Sequence, residues 1–204
     1  MKIKTILFDL GNVLFPFNWS IAAEKFAKEN GTTAEAVITK MKGPEYAKLF
    51  NDFGTGAIPT GLFINRLNEA LCTKMSYEKA SDIWCSIFTP DRDMLFFFIE
   101  CRKKFKTFIL SDTDTLHWNH LNDKWNLEDM VDGTILSFKY GMMKADTGAF
   151  AKIVKLYALE PQETIFIDDL QKNLDAAAKV GIQGILHTSY EDTMRQIVSY
   201  TKEL

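Results

Sequence analysis

The stretch Ile3-Lys4-Thr5-Ile6-Leu7-Phe8-Asp9-Leu10-Gly11-Asn12-Val13 decides the fold class. Residues 3–8 form a short apolar run, rich in β-branched and aromatic side chains, that stops at an acid. Such a run reads as a buried strand. Residues 107–110, 164–167 and 182–186 repeat the form, and Gly133–Leu136 is a weaker candidate. Helical patterns at 92–104, 147–157, 170–180 and 190–200 alternate with these runs, and Ser189 with Asp192 forms a capping box before the last of them. This rhythm predicts an α/β fold, a Rossmann-like parallel sheet core with helices on both faces.

The segment 17–88 reads differently. It has no strand pattern but carries helical stretches at 20–30, 33–40, 59–71 and 77–87, with Thr32 and Glu35 as a second capping box and glycines at 54, 56 and 61 as punctuation. The expected organisation is therefore a core of residues 1–16 and 89–204 interrupted by an inserted all-helical cap, 17–88. The apolar run 95–99 reads as a buried helical turn.

The 204 residues hold 24 Lys+Arg against 27 Asp+Glu, a net charge of −3. A nucleic-acid binder needs a basic surplus, so none is expected as a partner. A chain that is 47% hydrophobic is not a disordered segment. No apolar run is long enough for a membrane span or a signal-peptide core, so no membrane partner is expected. Cys72, Cys85 and Cys101 are odd in number and widely spaced, which suits a reducing cytosol better than a disulfide framework.

The acids are not scattered. The first strand runs into Asp9, the 107–110 strand into Ser111, Asp112 and Asp114, and the 164–167 strand into Asp168 and Asp169. Ligands of open parallel sheets bind beyond the carboxyl ends of the strands, so these acids are expected on one rim. Two like charges ~4 Å apart repel by about 4 kcal/mol at an effective dielectric near 20, so a cation must sit among them. Carboxylate oxygens without His or Cys suit Mg²⁺, and Lys144 supplies a further positive charge.

These residues resemble the four motifs of the haloacid dehalogenase-like hydrolases. Asp9-Leu10-Gly11-Asn12-Val13 is similar to the first motif, Ser111 to the second, Lys144 in Gly141-Met142-Met143-Lys144 to the third, and Asp168-Asp169 to the fourth. FDLGNVL, LSDTDTLH and FIDDLQKN resemble the branch containing alpha-glucose-1-phosphate phosphatase and the amino-terminal phosphatase domain of epoxide hydrolase. Gly56-Ala57-Ile58 followed by Phe63 resembles a cap segment of that branch.

The resemblance implies a Mg²⁺-dependent phosphatase acting on a small phosphorylated metabolite, with a sugar phosphate leading. Asp9 would be the nucleophile and Lys144 its catalytic partner. Asp9, the Gly11 carbonyl, Asp169 and Asp168 would form the metal site, with Asp168 pairing Lys144. Ser111, Asp112, Gly11, Asn12 and Lys144 would hold the phosphate. A monomer or homodimer is expected.

Three positions depart from the family pattern. Most phosphatases of this superfamily carry a second Asp two residues after the nucleophile, as general acid/base, where this chain has Gly11. Asp112 and Asp114 stand where the branch commonly has Asn, and Ala145 where Pro is common. One of Asp112, Asp114 or His117 is expected to take part of the acid role, although His117 reads first as a packing histidine. The rival readings are a haloacid dehalogenase, which needs no metal, and a binding or regulatory member of the fold without turnover.

Overall fold

A computed structural model describes residues 2–201; residue 1 and residues 202–204, the outermost positions of the expected core, lie outside the described residues. Five parallel strands lie in the order β3-β2-β1-β4-β5: β1 (Thr5–Phe8), β2 (Lys106–Ser111), β3 (Gly133–Leu136), β4 (Thr164–Asp168) and β5 (Gln183–Leu186). All five expected strands are present, the weaker one included. β1 is central and buried throughout. Its side chains alternate: Ile6 and Phe8 join one apolar cluster with Phe98, Ile109 and Ile167, while Leu7 joins the opposite one with Phe108, Leu110 and Phe166. Burial on both faces explains why the strand sequence is continuously apolar.

Helices α6 (Arg92–Arg102), α7 (Thr115–Trp125), α8 (Ser137–Tyr140), α9 (Ala149–Leu156), α10 (Gln171–Ala178) and α11 (Tyr190–Thr201) surround the sheet. Between β1 and α6 runs a helical insertion, α1 (Trp19–Asn30), α2 (Ala34–Met41), α3 (Pro44–Gly54), α4 (Thr60–Leu71) and α5 (Tyr77–Cys85), with its own apolar cluster around Phe26, Phe53, Phe63, Leu67 and Trp84. The two chain segments that connect it to the sheet pair with one another. Phe17 bridges Phe88, the Asn18 N–H donates to the Ile87 carbonyl (2.9 Å) and the Thr89 N–H to the Pro16 carbonyl (2.8 Å).

Four local expectations change. Helix α3 was not anticipated: Pro44 occupies its first turn, where the missing N–H costs nothing, and Gly54, read as punctuation, is its last residue. Helix α7 was also missed. The second capping box shifts by one residue, because Thr33 rather than Thr32 accepts the Ala36 N–H. The 95–99 run is not buried as a unit. Met94, Phe97, Phe98 and Cys101 follow helical spacing into the core, which leaves Phe96 62% exposed on the opposite face of α6.

Candidate active site

Strand pairing brings the sequence-predicted acids together. β1 and β4 are adjacent and in register, so Asp9, one residue past Phe8, lies beside the end of β4, and its N–H donates to the Ile167 carbonyl at 2.9 Å. Carboxylate oxygens of Asp9, Asp168 and Asp169 come within 4.8 Å of one another. Lys144 enters from the loop after α8 with its ammonium 2.8 Å from Asp9 Oδ1 and 2.5 Å from Asp168 Oδ2. Two acids shape that loop: the Met143 N–H donates to Asp146 Oδ2 (2.7 Å) and the Lys144 N–H to Asp112 Oδ1 (2.8 Å).

The hydrogen bonds divide the three acids by availability. Both oxygens of Asp168 are occupied, by Lys144, the Leu170 N–H (2.8 Å) and the Asn173 amide (2.9 and 3.1 Å). Asp9 Oδ1 accepts the Leu10 N–H (2.7 Å) and faces Lys144, while Oδ2 has no partner among the described residues. Among the described residues Asp169 uses only Oδ2, toward the Asn12 amide (2.9 Å). One oxygen of Asp9 and one of Asp169 are thus unengaged beside a saturated Asp168.

Electrostatics show the same imbalance, three carboxylates against one ammonium. Burial, joined by the charge of Asp168 and opposed by Lys144, raises the Asp9 carboxyl to about 7. Burial alone would lower Lys144; the charges of Asp9, Asp168 and Asp112 overcome it and hold the ammonium above its usual range. A divalent cation would offset most of this excess negative charge. Oxygen donors with no His or Cys among them suit Mg²⁺.

A cavity of about 100 Å³ opens beside Leu10 and Gly11, the two residues that follow Asp9 in the chain. Gly11, Ser111, Asp112 and Thr113 line its rim side; Phe17, Trp19, Ile87, Phe88 and His117 form the rest of the wall with Leu10. Ser111 is a buried residue at the end of β2, and its hydroxyl makes no hydrogen bond among the described residues. Gly11 cannot be replaced by a residue with a side chain without movement: a Cβ there would meet Phe17 Cε1 at 3.0 Å.

Asp114 and His117 are not free for proton transfer. Asp114 caps α7, accepting the His117 N–H on Oδ1 (2.9 Å), and its Oδ2 faces both His117 Nδ1 (2.9 Å) and the Trp84 indole N–H (3.0 Å). His117 Nε2 lies 3.1 Å from the Trp84 carbonyl, and its ring stacks on Trp84 at 5.1 Å. The pair clamps α5 of the insertion onto α7. Asp114 therefore leaves the expected five-acid rim, because the Trp84 indole N–H and the His117 backbone and ring engage both its oxygens. The structural reading of His117 is the one the geometry supports.

The haloacid dehalogenase-like hydrolase family model matches residues 3–181. The chain belongs to this family. Among curated relatives of the hydrolase, a D-ribitol-5-phosphate phosphatase of Bacteroides thetaiotaomicron is 23% identical over 188 residues, 89% of this chain and 90% of that protein. A sesquiterpene phosphatase of Aspergillus oryzae is 24% identical over 96% of each chain. A crystal structure of a haloacid dehalogenase-family enzyme of B. thetaiotaomicron, in complex with magnesium and inorganic phosphate, superposes with a TM-score of 0.81 at 25% identity, covering 91% of this chain and 94% of that one. No helix of the hydrolase, among the described residues, is long and apolar enough to cross a membrane.

Sequence reasoning missed the supports of the site. Asn173 on Asp168 and Asn12 on Asp169 are helix and loop amides whose partners only the fold brings near. Asn12, expected at the phosphate, has its amide turned to Asp169. Phe17 and Phe88 gave no signal beyond apolarity, although each lines the cavity.

Proposed function

We propose that this hydrolase is a Mg²⁺-dependent phosphomonoesterase of the cytosol that hydrolyses a small phosphorylated metabolite, a sugar phosphate, through an aspartyl-phosphate on Asp9. The observation that carries the reading is the buried ammonium of Lys144 joining Asp9 to Asp168, with one oxygen of Asp9 left bare. An acid held in place yet unengaged at the end of the central strand suits a nucleophile.

Asp9, Asp169 and the Gly11 carbonyl would hold Mg²⁺, with Asp168 orienting Lys144. When bound, the cation supplies charge neutralisation between the carboxylate and the phosphoryl oxygens. The Asp9 oxygen attacks phosphorus, and the bond from phosphorus to the leaving oxygen breaks. That oxygen takes its proton from water, since Gly11 carries none and the Phe17 ring fills the space. Water then attacks phosphorus, giving its proton to the hydroxide left by the first water; the Asp9–phosphorus bond breaks, and phosphate leaves. Ser111 donates to a phosphoryl oxygen and Lys144 offsets the charge that develops there.

The helical segment 17–88 acts as a cap over the core of 1–16 and 89–204, excluding water and selecting the substrate. Phe17, Trp19 and Phe88 offer flat apolar faces on which the C–H face of a sugar ring can lie. The two relatives named as phosphatases, and the magnesium and phosphate complex of the B. thetaiotaomicron enzyme, support the chemistry.

The test is a release assay for inorganic phosphate over sugar phosphates, polyol phosphates and nucleotides with Mg²⁺. Turnover of at least one sugar phosphate that is lost in Asp9→Asn supports the reading; equal turnover in both proteins removes it.

A further inference from the structure

Asn12 occupies an unusual backbone position for a residue with a side chain. Its φ is +54°, in the left-handed region that Asn enters more readily than most residues. The backbone N–H is already used, donating to the Phe15 carbonyl at 3.1 Å. The side-chain amide then does two separate things. Nδ2 donates to Asp169 Oδ2 (2.9 Å), and Oδ1 accepts the Phe17 N–H (3.3 Å).

Each end of that amide leads to a different part of the site. Asp169 keeps its other oxygen unengaged beside Asp9, so the Asn12 contact sets which oxygen is presented. Phe17 lines the cavity, and its ring lies so close to Gly11 that a Cβ there would be 3.0 Å from it. The backbone of Phe17 is held on one side by Asn12, and its bridge to Phe88 joins it to the segment returning from the helical insertion.

We propose that Asn12 is a positioning residue that couples the orientation of the metal-binding acid Asp169 to the placement of the cavity wall at Phe17. The proposal rests on the Mg²⁺ site put forward above. It assigns Asn12 a place between metal and substrate rather than on the phosphate. Partners that orient metal ligands are worth about 10–100-fold in metal affinity. Loss of the amide therefore weakens Mg²⁺ binding and raises KM together, while kcat at saturating Mg²⁺ changes little.

The experiment is calorimetric titration of Mg²⁺ into wild type, Asn12→Gly, Asn12→Ser and Asp169→Asn, with kcat and KM measured across Mg²⁺ concentrations on the best substrate of the phosphate panel. Asn12→Gly keeps the left-handed backbone without strain, so it tests the amide rather than the fold; cooperative melting in metal-free buffer verifies this. The expected result is Mg²⁺ binding about 10-fold or more weaker in both Asn12 variants, with KM raised and kcat at saturating Mg²⁺ within a few-fold of wild type. Wild-type Mg²⁺ affinity in both variants, alongside lost binding in Asp169→Asn, overturns the proposal and leaves the metal site standing. An unchanged KM, or a collapse of kcat at saturating Mg²⁺, overturns the coupling. Wild-type affinity in Asp169→Asn instead overturns the metal site itself, and the proposal falls with it.

Discussion

The ammonium of Lys144 lies 2.8 Å from Asp9 Oδ1, and both side chains are buried. The contact joins the end of the central strand to a loop far along the chain. It also determines what happens when either partner is removed. In Lys144→Met, Asp9 and Asp168 lose their cation in a site with almost no solvent. Breaking a buried pair costs about 3–5 kcal/mol, and loss of one stabilising group at the reacting centre costs about 100–1,000-fold in kcat. Urea denaturation in metal-free buffer and phosphate release at saturating Mg²⁺ measure the two effects. Wild-type stability would mean that Lys144 does not neutralise the acids.

The clamp between α7 and α5 makes a pH-dependent contribution to stability. His117 beside Asp114, with hydrogen bonds from His117 and Trp84, overcomes burial and holds the Asp114 carboxyl below its ordinary value of 3.8. A depressed acid adds stability that is fully present above its unfolded pKa and is lost as pH falls through the folded one. Wild type should therefore lose stability below about pH 4 more steeply than Asp114→Asn, which keeps a capping side chain but no charge. Thermal melting between pH 3 and pH 7 decides it. Parallel profiles for the two proteins would remove the charge of Asp114 from the explanation.

Thiol reactivity follows burial. Cys85 and Cys101 are buried, and burial, aided by nearby acids, pushes each thiol up to about 12. Cys72 is exposed. The thiolate is the reacting form, so Cys72 should modify rapidly at pH 8 in the native protein and the other two only after unfolding. Titration with an aromatic disulfide, before and after addition of denaturant, gives the count. Rapid native modification at Cys85 or Cys101 would contradict the packing of α5 or α6.

Chelation separates the phosphatase reading from its carbon–halogen rival. EDTA should abolish phosphate release, and added Mg²⁺ should restore it. A halide-releasing activity that persists in EDTA would favour dehalogenation at Asp9.

The sheet was legible because its strands are buried on both faces: residues 3–8 and 164–167 carry no alternation and end at acids that the parallel register sets side by side. The rim acids Asp9, Asp168 and Asp169 were legible for the same reason. Helix α3 was hidden by the glycine that ends it, and α7 by an Asp read as a site residue when it is a cap. Asp114 could be told from Asp112 only by knowing that Trp84, 30 positions away, brings an indole N–H to it. The amides of Asn12 and Asn173 were beyond reach on similar grounds, since a hydrogen bond spanning 157 positions, as between Asn12 and Asp169, leaves no local pattern.

The most direct test of the aspartyl-phosphate on Asp9 is acid quenching during turnover of an isotopically labelled phosphate ester with Mg²⁺, followed by peptide mass spectrometry. The predicted result is phosphoryl label on the peptide containing Asp9 in wild type and none in Asp9→Asn, which also releases no phosphate. Phosphate release at the wild-type rate by Asp9→Asn, or label on a different residue, would contradict it.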